Sequence, residues 1–103
     1  MIKDDLVPPN DKVFTTSARL TIMILVYTHK KIKFSDLQDL LHLTPGNLDH
    51  HIKKLEEVNY VTTYKKFYPG RPLTVVEITE YGKEAFKEYI KNLRDLLNKI
   101  PLT

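Results

Sequence analysis

The sequence predicts a single α+β domain that is mostly helical and carries one β-hairpin. A chain of 103 residues has enough length for one hydrophobic core. Two helical patterns are separated by only two or three residues near Thr44 and Pro45. A hairpin pattern with Pro69-Gly70 at its turn follows, and a long amphipathic segment ends the chain. These three observations define the predicted order of elements.

Composition narrows the possible classes of function. The 16 basic residues exceed the 13 acidic ones, and the net charge of +3 weakly favours a polyanionic partner. There is no cysteine, so disulfides, thiolate zinc sites and cysteine nucleophiles are excluded. No run approaches the roughly 20 apolar residues of a membrane helix, and the first residues lack the pattern of a secretory signal. We therefore expect a cytoplasmic protein with no membrane partner.

The first third of the chain predicts an arm, a helix and a short strand. Residues 1–12 include two adjacent prolines and are expected to form an irregular N-terminal arm. The segment from Thr16 to about His29 is apolar almost all round, and its length favours a buried helix over a strand. Residues 31–34 alternate between lysine and apolar side chains, which predicts a very short strand.

Residues 35–58 predict two helices joined by a tight turn. Ser35 and Gln38 have the spacing of a capping box, which would begin the first helix. Three leucines of this helix are expected to face inward: Leu37, Leu40 and Leu41.

The second of these helices has a well-defined start. Thr44 is a natural N-cap and Pro45 a natural first residue, because the missing N–H of proline costs nothing there. The helix extends to about Val58, and Asn59 suits the left-handed residue that often follows a helix. Its inward face is expected to consist of Leu48, Ile52 and Leu55. Such a pair is a helix-turn-helix, in which the N-terminal half of the second helix is exposed.

Residues 60–78 predict a hairpin, or wing, whose tip is Pro69-Gly70-Arg71-Pro72. Proline followed by glycine fits the central positions of a type II turn. Thr79 then caps a last helix over residues 80–100, and Pro101 closes it. The fold class is therefore α+β, mostly α: a winged helix-turn-helix with a long C-terminal dimerisation helix, occupying residues 1–103 as one domain.

The exposed face of the second helix, the recognition helix, is the first candidate binding surface. Its polar or small residues are Thr44, Gly46, Asn47, His50, Lys53 and Lys54. Asn47 and His50 are the candidates for base edges, because an amide pairs with adenine and imidazole bonds to bases. Gly46 permits close approach to the helix start, and the lysines and Thr44 suit phosphate contacts. The alternative is a solvated face with no partner. His51 borders the apolar side and is expected to be a hydrogen-bonded structural histidine.

The wing is the second candidate surface. Its basic residues, interleaved with aromatic ones, are Lys65, Lys66 and Arg71. The lysines suit phosphate contacts, and Arg71 suits a minor groove. The alternative is that lysines protect an edge strand from aggregation.

The last helix carries a candidate dimer interface. Apolar residues recur in steps of three and four at Phe86, Tyr89, Ile90, Leu93, Leu96, Leu97 and Ile100. A monomer this small has little surface that could bury the whole stripe, so we expect pairing with a second subunit, helped by the first helix. The alternative is packing within one chain.

No enzymatic site is indicated. Ser17 and Ser35 are explained by helix starts, and no Gly-rich phosphate loop is present. The histidines lack metal-ligand spacing, since the adjacent His50 and His51 point about 100° apart on a helix. The sequence therefore predicts no catalytic activity, no cofactor and no bound metal.

Several motifs between residues 18 and 97 are shared with a known family. They are Phe34-Ser35-Asp36-Leu37, Leu43-Thr44-Pro45-Gly46-Asn47-Leu48 with His51, Lys66-Phe67, Arg71-Pro72-Leu73-Thr74, and Thr79 through Gly82-Lys83. In these the chain resembles the small winged-helix regulators of bacteria and archaea, relatives of the MarR and ArsR groups. Asn59 stands where that family usually has glycine, a position that asparagine tolerates. The metal-sensing cysteines of many ArsR members are absent, so a metal response is not implied.

The resemblance implies a homodimeric transcriptional regulator that binds an imperfect inverted repeat in double-stranded DNA, with one recognition helix and one wing per subunit. Two other classes stay open. The acids Asp49, Glu56 and Glu57 suit a winged helix that docks a protein partner. A pocket between the first and last helices would suit a sensor of an unidentified small molecule.

Overall fold

The computed structural model describes residues 12–14 and 16–102, and these residues form a winged helix. The α-helices are α1 (Ser17–His29), α2 (Phe34–Leu41), α3 (Pro45–Glu57) and α4 (Glu80–Leu97). The strands are β1 (Lys31–Lys33), β2 (Val61–Tyr68) and β3 (Arg71–Ile78), and a 3-10 helix (Lys12–Phe14) precedes α1. The predicted winged helix-turn-helix with a long C-terminal helix is confirmed. Of the predicted arm, residues 1–11 lie outside the described residues, and Lys12 belongs to the 3-10 helix.

The three strands form one antiparallel sheet in the order β1-β3-β2. Tyr68 is paired with Arg71, so the turn contains only Pro69 and Gly70 and is shorter than the predicted four-residue tip. Gly70 has a φ of 100°, a conformation that favours glycine. On the other side of β3, Lys33 of β1 is paired with Val75.

One hydrophobic core joins α1, α2, α3 and one face of the sheet. Its fully buried members are Phe14, Ile22, Met23, Val26, Leu37, Leu48, Ile52, Leu55, Val61 and Val76. The predicted inward face of α3 is thereby confirmed. The ring of Phe14 lies 5.1 Å from that of Tyr60, 5.4 Å from that of Phe86 and 4.7 Å from that of Tyr89, measured between centroids. Phe14 therefore connects the start of the described chain to α4.

Two predictions for α2 are wrong. The helix begins at Phe34, directly after the extended Lys33, which makes no side-chain capping bond, so Ser35 and Gln38 do not form the predicted capping box. The extended backbone of Lys33 is still paired in the sheet, and this pairing fixes where the helix begins. Leu40 is 60% exposed, because the i,i+4 pair Leu37 and Leu41 occupies the side of this short helix that faces the core.

Two further helices differ from the prediction. α1 is less buried than predicted: Ile22, Met23 and Val26 are buried, whereas Ile24 is 45% exposed. An apolar composition all round a helix does not by itself provide partners on every side. α4 ends at Leu97 rather than near Ile100, since Lys99 and Ile100 donate backbone bonds three residues back instead of four.

Candidate nucleic-acid interface

The start of α3 is fixed by the cap predicted from the sequence. The side-chain oxygen of Thr44 accepts a hydrogen bond of 3.2 Å from the backbone N–H of Asn47, and Pro45 occupies the first turn. Asn59 ends the region with a φ of 62°, as predicted. These two ends hold a helix whose apolar side is buried in the core.

The predicted recognition face is a continuous exposed surface. Thr44, Gly46, Asn47, His50, Lys53 and Lys54 are all exposed. A Cβ added at Gly46 would meet nothing within 4 Å, so no other part of the described chain covers the helix start. The positive end of the helix dipole lies at the same place and favours an anion such as phosphate.

The two lysines of this face are paired with acids on the same helix. The ammonium group of Lys53 lies 2.9 Å from a carboxylate oxygen of Asp49, and that of Lys54 lies 3.8 Å from Glu57. The hydrogen bond to Asp49, and then its negative charge, raise the pKa of Lys53. Because exposed pairs of this kind are weak, phosphates can displace the acids, but the positive potential of the face is reduced until they do.

His51 is the structural histidine that the sequence predicts. Its Nδ1 lies 3.1 Å from the guanidinium of Arg19, whose Nε donates to the carbonyl oxygen of Val13 at 2.9 Å. Arginine is only a donor, so Nδ1 of His51 must accept with its lone pair, and the ring is neutral. Burial, then Arg19 and the neighbouring His50, lower the pKa of His51. Arg19 thus joins α1, the 3-10 segment and α3.

Sequence reasoning missed this role of Arg19. The signal was present, because Arg19 is the single Lys, Arg, Asp or Glu between Ser17 and His29. A lone charge in an otherwise apolar helix needs a partner when it is partly buried.

The wing presents its basic residues on two different faces. Side chains alternate along a strand, so Lys66 and Arg71 lie on one face while Lys65 and Phe67 lie on the other. Phe67 is 80% exposed. The three predicted wing residues are therefore near one another, but they do not form one patch.

The predicted dimer stripe of α4 is divided between the core and the surface. Phe86 belongs to the core cluster, and Tyr89 and Ile90 pack against it. Leu93 is half-buried and Leu96 is buried, whereas Leu97 and Ile100 are exposed. A groove of about 650 Å³ runs between α1 and α4 and is lined by Ile24, Tyr27, Phe86, Ile90 and the stems of charged residues.

Two further structural observations concern metals and membranes. No group of three His, Cys, Asp or Glu side chains among residues 12–14 and 16–102 is placed to hold a metal ion. In that same part of the chain, no helix has both the length and the apolar character that crossing a membrane requires.

The fold and this surface together define a winged-helix protein with an open recognition helix. Residues 18–97 match the family described as winged helix DNA-binding domain, and the chain belongs to that family.

Two relatives show how far the similarity extends in sequence. The uncharacterized protein MJ0432 of Methanocaldococcus jannaschii is 42% identical over 89 residues, which cover 86% of this chain and 97% of that protein. The uncharacterized HTH-type transcriptional regulator YdgJ of Bacillus subtilis is 27% identical over 89 residues, covering 82% of this chain. The matched part spans only 54% of that regulator.

Solved structures show the same fold. The transcriptional regulator homologue from Pyrococcus horikoshii OT3 superposes with a TM-score of 0.84 at 41% identity, covering 90% of this chain and 92% of that one. MarR superposes with a TM-score of 0.70 at 19% identity, covering 84% of this chain and 62% of MarR. At that identity the likeness to MarR concerns the fold alone. The resemblance to small winged-helix regulators that the sequence predicts is confirmed by the family match and by these structures.

Proposed function

We propose that the chain is a homodimeric transcriptional regulator of the cytoplasm, without enzymatic activity, that binds an inverted repeat in double-stranded DNA. The observation that carries the proposal is the open N-terminal half of α3, whose polar side is exposed while its apolar side is buried. Family membership supports it, as does the 41% identity to a protein described as a transcriptional regulator homologue.

Each subunit would place residues 44–54 in a major groove. Asn47 and His50 would contact base edges, and Arg71 would enter a minor groove. The remaining contacts would be to phosphates and would position the helix without specifying sequence: Thr44, Lys53, Lys54, Lys65 and Lys66. Half-site centres would lie about 10–10.5 bp apart, or a multiple of that.

Dimerisation would use the face shared by α1 and α4. Leu97 is 55% exposed, and Ile24 and Tyr27 of α1 are also exposed beside the groove between these helices. A second copy of α4 would cover this apolar surface, which a monomer leaves in water.

The dimer is tested by sedimentation of two variants. Leu97→Asp should convert the protein to a monomer, because a charge would be buried in the interface. Leu40→Asp is the matched control, since Leu40 is an exposed leucine on α2. A parent protein that sediments as a monomer, or equal behaviour of the two variants, would remove α4 from the interface.

The reading of a base by Asn47 is tested by substituting this residue and, as a control, an asparagine on α4. Asn47→Ala should weaken binding to the cognate site by about 1–3 kcal/mol and relax preference at one base. Asn92→Ala, at an exposed position of α4, should leave binding unchanged. A selection of genomic fragments bound by the parent protein supplies the cognate site. If Asn47→Ala weakens random DNA equally, the side chain positions the helix and does not read a base.

A protein-docking winged helix is the second candidate, and the pairing of Lys53 and Lys54 with acids favours it. Titration of random duplex DNA at two salt concentrations distinguishes the two functions. A DNA-binding protein must show affinity that falls steeply with salt, because phosphate contacts release counterions.

If the protein also senses a small molecule, the groove between α1 and α4 would be the place for it.

A further inference from the structure

The outer face of the sheet, turned away from the core, carries a row of cations that crosses all three strands. Alternation along β1 places Lys31 and Lys33 on the same face, and the pairing of Lys33 with Val75 puts both on the face of β3 that bears Val75. Lys66 is paired with Leu73 and therefore lies on this face too. We call this set the outer-face cluster: Lys31, Lys33, Lys66 and Arg71.

These cations border a groove of about 580 Å³. Lys31, Lys33 and Lys66 line it, and Leu73 and Val75 belong to its apolar part. Val75 is 6% exposed and yet is not a member of the main core, and it lies on the outer face of the sheet as part of the groove lining. The groove is thus an apolar floor with a basic rim, and it is separate from the recognition face.

The outer-face cluster carries positive charge that is not neutralised by ion pairs. Acids are also present there: Asp36 lines the groove, and Glu77, on the same face as Val75, accepts a hydrogen bond of 3.2 Å from the hydroxyl of Tyr64. Among the residues that the structure describes, no member of the cluster forms an ion pair, whereas Lys53 and Lys54 of α3 both do. The uncompensated positive charge therefore lies on the sheet and not on the recognition helix.

Topology connects the cluster to the recognition helix. β3 leads away from the turn at Gly70, and β1 runs antiparallel to β3, so β1 runs towards the tip of the wing. The Lys33 end of β1 is therefore the end nearer the tip. α2 begins directly after Lys33 and leads through a short turn into α3. Lys33 therefore lies where the wing meets the helix-turn-helix. Because β3 lies between β1 and β2, these two strands are separated by two strand spacings, or about 10 Å.

We propose that Lys31 and Lys33 are phosphate contacts, and that the DNA backbone follows the outer-face cluster more closely than the face that carries Lys65 and Phe67. This inference rests on the proposed function and deepens it by assigning which side of the sheet faces the duplex. β1 then anchors the DNA electrostatically, while α3 reads it.

The test compares salt dependence in variants that lose the same charge. Random duplex DNA is titrated with the full chain at several salt concentrations, using the double variant Lys31→Gln/Lys33→Gln, which keeps the aliphatic stems. Two lost phosphate contacts should reduce the slope of log K against log[salt] by about 2. The matched control is Lys83→Gln/Lys99→Gln, which removes two charges near the two ends of α4, outside the lining of the groove between α1 and α4, and should leave the slope nearly unchanged.

A second pair of variants tests the choice of face. Lys66→Gln should reduce the slope by about 1, and Lys65→Gln, one residue away on the opposite face, should reduce it by clearly less. Thermal unfolding of every variant excludes loss of folding. If the parent binds DNA but the β1 variant keeps its slope, or if both double variants lose slope equally, the inference is overturned and the proposed function stands. If the parent does not bind duplex DNA at all, both fail.

Discussion

Replacing Gly46 with alanine separates the stability of the fold from the binding of DNA. An added Cβ at Gly46 meets nothing within 4 Å, and the backbone there does not adopt the conformation that requires glycine. Alanine is favoured over glycine at compatible helical positions by about 0.4–1 kcal/mol, mainly because it restricts the unfolded chain. We therefore expect Gly46→Ala to raise the free energy of unfolding by up to about 1 kcal/mol.

The same methyl group should weaken binding. It projects from the exposed start of α3, where the proposed complex places a phosphate or a base edge against the backbone. The duplex would have to withdraw from the first turn, and neighbouring contacts such as that of Asn47 would lengthen. We expect a loss of about 1–3 kcal/mol on the cognate site, comparable with the loss of one good base contact.

Two measurements decide the matter. Urea unfolding followed by circular dichroism gives the stability, and fluorescence anisotropy with a labelled duplex at fixed salt gives the affinity. A variant that is more stable and binds as tightly as the parent would show that the start of α3 does not touch DNA. A less stable variant would show that the fold requires glycine at this position.

The other predictions concern packing, acid sensitivity and charge. Gly82→Ala should destabilise the protein by at least about 1–3 kcal/mol in urea unfolding, because the new Cβ would collide with the backbone that precedes β2. Since burial and Arg19 lower the pKa of His51 below its usual 6.5, the unfolded chain binds more protons, and stability should fall as the pH drops below about 6.5. His51→Asn keeps an acceptor for Arg19 and should lose less stability between pH 7.5 and 5; an unchanged acid loss would contradict this account. Asp49→Asn should free Lys53 and strengthen binding to all duplexes with a steeper salt dependence; weaker binding would show that the acid has another role.

The sequence was most informative where one residue type is required by local backbone geometry. Thr44 and Thr79 both cap the helices they were predicted to cap, with bonds to Asn47 and Gly82. Asn59 adopts the left-handed conformation that its position after α3 predicts. Each of these features depends on a few neighbouring residues, so the local sequence is sufficient to predict it.

The failures concern features that depend on the rest of the chain. Ser35 and Gln38 have a valid capping spacing, but the pairing of Lys33 with Val75 brings the start of α2 forward. The exposure of Leu40 depends on which side of α2 meets the core, and leucine spacing alone allows either side in a helix of eight residues. The candidate site likewise has a part that the local sequence predicts and a part that depends on the rest of the chain.

The recognition face followed from helical periodicity, whereas the outer-face cluster depends on the strand order β1-β3-β2, which the sequence does not specify. Nothing local distinguishes Lys33 from any other lysine of a short strand. Only the placement of β1 beside β3 brings it onto the face of Lys66.

The position of Phe14 has a practical consequence for anyone who excises this domain. The family match begins at residue 18, so a fragment trimmed to that boundary would lack Phe14. Phe14 is 1% exposed, and its ring packs against the rings of Tyr60, just before β2, and of Phe86 and Tyr89 in α4. Removing a buried phenylalanine costs about 3–5 kcal/mol, a large share of what holds a small domain together. An expression fragment should therefore start upstream of Lys12, because the hollow left behind would loosen the attachment of the terminal helix.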